Sequence, residues 1–300
     1  MKCIIFGAGS DLGVHIDGAS LGPIQLMNDL KSFFNGQTIL LKQDDDIIKS
    51  KNLSDRRKNE YEIDKFNTKL YNTILENTKE ECFPITIGGD HSVSVASALA
   101  SVKKNENIGI IWISSHADYN TFQTTVSGNI NGMSLSAING YKNHELRYFH
   151  DGGIIQPVRS VIYGTRDIDD WEKDNIKYSN VNIITDKDIK DKGIEATLEE
   201  AFKIALEKND GIHVCFNLDI IDPDTAPGVD VPVFDGISED DAMKINSIII
   251  KHIDEVVSFD LMEFNPLRDQ GRKTEQIALN ILAQIIRASD TKQKYVRKKY

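Results

Sequence analysis

Four short segments of this chain gather residue types that bind cations and move protons. Gly88-Gly89-Asp90-His91-Ser92 places an imidazole just after two glycines. Ser114-Ser115-His116-Ala117-Asp118-Tyr119-Asn120 spaces His116 and Asp118 two apart, which in extended backbone aims both side chains the same way. Asn217-Leu218-Asp219 repeats that spacing with an amide and a carboxylate, and Leu261-Met262-Glu263-Phe264-Asn265-Pro266 contributes Glu263. An imidazole and a carboxylate on one side make half of a divalent-metal site. Each segment also has an ordinary reading: His91 as a helix-cap residue, Glu263 as a surface carboxylate, and Asp222 before Pro223 as a turn former.

What sets these segments apart is where they fall. Each follows a short apolar, β-branched run. The candidate strands are Lys2–Gly7, Phe83–Ile87, Ile108–Ile113, Ser160–Tyr163, Val181–Ile184, His213–Leu218 and Val256–Asp260. The runs are apolar throughout rather than alternating, as in a parallel sheet covered on both faces. Helical periodicity lies between them at Arg56–Asn77, Val93–Val102, Ala196–Leu206, Glu239–Ile253 and Thr274–Arg287. The alternation implies one α/β domain over residues 1–300 with a mainly parallel sheet. Ligands of such sheets bind beyond the carboxyl ends of the strands. Four strands delivering His, His/Asp, Asn/Asp and Glu to one sheet edge is a convergence that core packing does not explain.

Composition narrows the partners. Asp and Glu number 46 against 35 Lys and Arg, a net charge of −11. That excess argues against nucleic acid or an anionic membrane as the main partner and leaves a metal or a cationic small molecule open. Cys3, Cys82 and Cys215 are too few for a disulfide framework and sit in apolar runs, which predicts buried thiols in a reducing compartment. No stretch approaches the ~20 apolar residues of a membrane span, and the N-terminal apolar run is too short for a signal peptide, so the chain reads as cytoplasmic. The polar segment Gln43–Glu60 reads as a solvated loop entering a helix, and the basic tail Lys292–Tyr300 as a solvated terminus. His15, His144 and His150 have no motif support and read as surface or structural histidines.

GGDHS, SHADYN, SGNINGMS, NLDIIDPDTAPG and LMEFNP stand in the order and spacing of the signature segments of the ureohydrolases, the family of arginase, agmatinase and formimidoylglutamase. The chain resembles that family from about Gly7 to its last helix. The resemblance implies a three-layer α/β/α fold, a trimer or hexamer, and two Mn²⁺ ions whose bridging hydroxide attacks a guanidinium or amidine carbon. It places metal-ligand positions on His91, Ser114, His116, Asp118, Asn217 and Asp219, with His91 and Asp118 on one metal and His116 and Asp219 on the other. It places substrate contacts on Asn120, Ser127, Asn129, Asp169 and Glu263, and catalytic positions on Asp118, Glu263 and Asn131. Ser127 and Asn129 would hold an α-carboxylate and Asp169 an α-amino group, so the resemblance leans toward an arginine-like substrate over agmatine.

The departures matter as much. The family pattern is His, then Asp-x-His-x-Asp, then Asp-x-Asp. Ser114 and Asn217 stand where the leading carboxylates of the last two segments would be, and those are the residues that bridge the metals. Asn131 stands where arginases have a proton-shuttling His, Ser134 replaces a proline, and Asp230-Val231 replaces a Gly-Thr pair. Two divalent ions at ~3.5 Å repel strongly unless anions bridge them. Neutral Ser and Asn oxygens can coordinate but bring no bridging charge. The expectation is at most one metal, or none. That leaves either a weakened hydrolase of arginine, agmatine or formimidoylglutamate, or a non-catalytic amino-acid-binding protein or partner subunit.

Overall fold

The computed structural model of the protein describes residues 2–50, 52 and 55–292. The apolar runs do form strands. In chain order the elements are β1 (Lys2–Gly9), α1 (Gly22–Leu30), β2 (Gln37–Lys42), α2 (Glu60–Asn77), β3 (Cys82–Gly88), α3 (Ser94–Asn105), β4 (Gly109–Ile113) and α4 (Ser134–Ile138). These are followed by β5 (Ser160–Thr165), α5 (Asp170–Ser179), β6 (Asn182–Thr185), α6 (Asp186–Lys192), α7 (Ile194–Ala205), β7 (Ile212–Asn217), α8 (Glu239–Lys251), β8 (Val256–Met262) and α9 (Lys273–Thr291).

The eight strands form one sheet in the order β2-β1-β3-β8-β7-β4-β5-β6. Every neighbouring pair is parallel. Side chains alternate across it: Ile111 and Ile113 join one core with α1, α7, α8 and α9, whereas Ile110 and Trp112 join the other with α2, α3 and α4. Both faces are therefore dry, which is why the strands read as continuous apolar runs. The four strands whose ends carry the chemical segments, β3, β8, β7 and β4, are the four adjacent central strands. The chain crosses from β3 to β4, then returns to fill the gap with β7 and β8, so that crossover brings the four segments together.

The structure corrects several sequence expectations. Helix α2 starts at Glu60 rather than Arg56, because Asn59 is left-handed at φ 55° and cannot continue a helix. Edge strand β2 went unread because its sequence QTILLK is mostly exposed and flanked by polar residues. Helices α1, α4, α5 and α6 also went unread. Helix α5 (DWEKDNIKYS) is too polar to show an apolar stripe and is set at its start by the Glu172 carboxylate accepting the Asp169 N–H at 3.2 Å. Cys3 and Cys215 are buried thiols as expected, but Cys82 at the start of β3 is only half-buried. Lys292 is not solvated: it is buried and donates to the carbonyls of Ile253 and Asp254, whereas residues 293–300 lie outside the described residues. Among the described residues no helix is long and apolar enough to cross a membrane.

Candidate active site

Beyond the carboxyl ends of the central strands lies a cavity of about 310 Å³. Its lining includes His91, His116, Asp118, Asn120, Ser127, Asn129, Asn131, Asp169, Asn217, Asp219 and Glu263. Of the residues picked out from the sequence, only Ser114 does not line it; Ser114 is fully buried directly beneath.

Each position has a local cause. Gly89 lets the turn after β3 press against the Ser10 carbonyl, which a Cβ would meet at 1.9 Å. Asp90, not His91, then caps the following turn by accepting the Ser92 N–H at 2.8 Å. His91 is thereby buried, with its ring stacked on Trp112 at 3.9 Å between centroids. Asp118 and Glu263 both adopt left-handed backbone, at φ 51° and 72°, which non-glycine residues avoid unless their surroundings hold them there.

The bend at Asp118 changes one expectation. His116 and Asp118 do not act as a pair. Asp118 Oδ2 lies 2.8 Å from His91 Nδ1 and accepts from Trp112 Nε1 at 3.0 Å. His116 Nδ1 instead lies 2.7 Å from Asp219 Oδ2. The site thus contains two imidazole–carboxylate pairs, partnered as the family resemblance divides them.

The two substituted residues stand between those pairs. Asn217 Nδ2 lies 3.1 Å from His91 Nδ1 and donates to Ser114 Oγ at 3.3 Å. Ser114 Oγ donates in turn to Asp219 Oδ1 at 3.1 Å. Asn217 Oδ1 accepts the Asp219 N–H at 2.9 Å, and Asp219 Oδ1 accepts the Ser115 N–H at 2.9 Å. Beneath His91, Cys215 Sγ lies 3.0 Å from Nε2; burial pushes this thiol well up, so it keeps its proton and donates it.

Burial by itself would lower the His116 pKa, but the hydrogen bond and charge of Asp219 outweigh it and raise it to about 9. Asp219 is lowered, since the His116 and His91 charges and its hydrogen bonds outweigh its burial. Glu263 Oε1 accepts from the His91 N–H at 2.8 Å and from Asn131 Nδ2 at 3.3 Å. Burial, with repulsion from Asp230, Asp90 and Asp219, pushes Glu263 well above the usual carboxylate range.

Around the mouth, Asn120 Nδ2 donates to Asp169 Oδ2 at 3.0 Å. Ser127 is held from behind by buried Lys58, whose ammonium donates to the Ser127 carbonyl. Gly128 is left-handed at φ 72°, and a Cβ there would meet the Asp55 carbonyl at 2.1 Å. Buried Asn120 Oδ1 and His116 Nε2 have no hydrogen-bond partner among the described residues, and such atoms call for a ligand or water.

Sequence reasoning passed over three residues at this site. His15 reads from sequence as a stray histidine, yet it stands at the cavity mouth beside Asn129. Glu172, on a helix that went unread, accepts the Tyr119 N–H at 2.6 Å, and burial raises its carboxyl to about 8. Asp230, noticed only as a departure, is buried behind Glu263, hydrogen-bonds Asn265 and is raised by burial to about 7. His144 and His150 are buried structural residues; His150 bonds the Tyr71 hydroxyl and the Gly153 carbonyl, each at 2.9 Å.

Among the described residues no group of three or more His, Cys, Asp or Glu side chains is arranged to hold a metal ion. Asn217 and Ser114 bring no charge and hydrogen-bond within the site, Asn217 to Ser114 and Ser114 to Asp219. The two imidazoles and two carboxylates beside them carry less negative charge than two adjacent divalent ions call for.

Comparison with known proteins agrees with the geometry. The family model described as "Arginase family" matches residues 1–287. The arginase of Bacillus subtilis (strain 168) is 31% identical over 294 residues, covering 94% of this chain and 96% of its own. The arginase of Plasmodium berghei (strain Anka) is 35% identical, covering 78% of this chain and 67% of its own. The crystal structure of Entamoeba histolytica arginase in complex with L-ornithine superposes with a TM-score of 0.86 at 27% identity, covering 95% of this chain and 98% of that one. On the match of its sequence and its fold, this chain belongs to the arginase family.

Proposed function

We propose that this arginase-family protein binds an arginine-type amino acid in the cavity but does not assemble a two-manganese centre. The observation that carries the ligand class is the lining. Asp118, Asp167, Asp169, Glu172, Asp219 and Glu263 face the cavity, and among the described residues no Lys or Arg lines it. Such a lining favours a cationic head, and buried Glu263, pushed well above the usual carboxylate range, would offer it a carboxyl oxygen rather than a full charge. The relative solved with L-ornithine supports an amino acid over a simple amine.

The metal part rests on charge. With Ser114 and Asn217 in the bridging places, Asp118 and Asp219 remain as the only carboxylates of the metal-ligand set, and each is already matched to an imidazole. Asn131 carries an amide where a proton-transferring imidazole would stand, and that amide is engaged with Glu263. The chain is thus built to bind, and turnover of a guanidinium C–N bond would be weak or absent.

The test pairs metal analysis with urea release. Purified protein is assayed with arginine, agmatine and formimidoylglutamate, with and without added Mn²⁺, and ligand binding is followed by calorimetry. Arginine binding with neither urea release nor two bound Mn²⁺ is expected. Two Mn²⁺ per chain at micromolar affinity, with arginine hydrolysis, would overturn the metal argument and restore an arginase-type hydrolase.

A further inference from the structure

We propose that His15 is a specificity-determining residue, donating a hydrogen bond to the α-carboxylate of the bound amino acid. The proposal deepens the amino-acid-binding reading above and rests on it.

Three histidines line the cavity. His91 is tied to Asp118 and His116 to Asp219, at 2.8 and 2.7 Å. His15 has no carboxylate partner among the described residues and stands exposed at the mouth. Its Nδ1 lies 3.1 Å from Asn129 Nδ2 and 3.3 Å from Asn129 Oδ1. Nδ1 can accept from the Asn129 amide or donate to its oxygen according to the ring's tautomer, and we assign the one in which Nδ1 accepts. That tautomer leaves the proton on Nε2, which has no partner among the described residues. A donor free at the mouth of a binding cavity can exchange water for an acceptor on the ligand. The guanidinium and ammonium groups of an arginine-type ligand only donate. Its carboxylate is the one group that accepts strongly.

The charge distribution agrees. Carboxylates gather on the floor at Asp118, Asp219 and Glu263, and at Asp167 and Asp169 on the rim. The segment beside His15 is backed instead by a cation, buried Lys58 on the Ser127 carbonyl. The loop carrying His15 is also fixed. Its Gly13 carbonyl accepts the Asn131 N–H at 3.1 Å, and Lys49 Nζ donates to the Ile16 carbonyl at 2.7 Å. His15 is therefore presented on a pinned loop at a part of the mouth suited to an anion.

The experiment is calorimetric titration of the whole protein and its His15→Ala variant with L-arginine and with agmatine, which lacks the carboxylate. An exposed side chain is removed, so the fold is preserved. The expected result is about tenfold weaker L-arginine binding, the scale of one lost hydrogen bond to a charged group, with agmatine affinity changed less than twofold. Equal loss for both ligands, or no loss for either, overturns the assignment of His15 and leaves the amino-acid cavity standing. Wild-type protein that binds neither ligand overturns both readings.

Discussion

Ser114 Oγ lies 3.1 Å from Asp219 Oδ1 and donates to it, at the middle of a chain of polar contacts running from His91 through Asn217 to His116. Asp118 and Asp219 each face one imidazole, and the amide and hydroxyl lie between the two pairs.

Restoring both acids should therefore damage the metal-free protein before it helps. Ser114→Asp with Asn217→Asp places new carboxylates against Asp219 in a buried site. Without a cation the double variant should lose about 3–5 kcal/mol of stability, the scale of an uncompensated buried charge. Mn²⁺ should return it, with stabilisation growing as roughly RT ln of the metal concentration over Kd. Urea unfolding with Mn²⁺ and with a chelator measures this. Wild-type stability should be indifferent to both additions. A double variant equally stable in chelator and unmoved by Mn²⁺ would refute the account.

Gly128 tests the mouth. Its left-handed backbone and its approach to the Asp55 carbonyl leave no place for a methyl group. Gly128→Ala should cost about 1–3 kcal/mol through strain and displacement. Because Ser127 and Asn129 flank it, ligand affinity should fall further than stability alone would suggest. Thermal melts set beside titrations with L-arginine separate the two. Unchanged affinity would detach this loop from ligand binding.

Asp230 tests the acids behind the floor. Folded, its carboxyl is raised from 3.8 to about 7 by burial, and its Oδ2 has no hydrogen-bond partner among the described residues. The folded state holds a proton the unfolded chain would release, so this group's contribution is full below pH ~4 and falls as pH rises to about 7. Asp230→Asn keeps an oxygen for the Asn265 amide and removes that loss. The variant should gain on wild type from pH 5 to pH 8, by on the order of 1 kcal/mol per pH unit while the group titrates. Parallel stability–pH curves for the two proteins would rule it out.

How much of this was legible beforehand divides along physical lines. The central strands and their chemical ends were readable because strands buried on both faces are apolar throughout and the residues after them are not. The two losses, Ser114 and Asn217, were readable as departures from a motif. That His116 turns to Asp219 rather than standing beside Asp118 was legible only through the family resemblance; the local spacing pointed the other way, because the left-handed backbone at Asp118 has no glycine to announce it. His15 was invisible for a different reason. It lies on a loop far in sequence from Asn129, and only the tertiary fold brings the two side chains together. Glu172 was hidden by a helix too polar to show a periodic apolar face.

Glu172 supplies the sharpest pH test. It accepts the backbone N–H groups of Tyr119 and Asp169, so it fixes the segment after His116 and Asp118 to the start of α5. Burial is the main cause raising its carboxyl to about 8, with the Asp118 and Asp169 charges adding to it and the backbone hydrogen bonds opposing. Its proton is held in the folded protein up to about pH 8 and released near 4.5 in the unfolded chain. Stability from this group is thus complete below pH ~4.5 and is lost as pH rises through about 8. His116, raised from 6.5 to about 9, loses stability in the same direction over a higher window. Wild type should therefore weaken steadily from pH 5 to pH 9. Glu172→Gln cannot ionise, and it sets an amide against the Asp169 N–H, which costs about 1–3 kcal/mol at pH 5. Its curve should start lower but run flatter between pH 5 and pH 8. Urea unfolding at half-unit pH steps reads both features. A variant curve that starts lower yet keeps the full wild-type slope would show that Glu172 is already ionised at neutral pH.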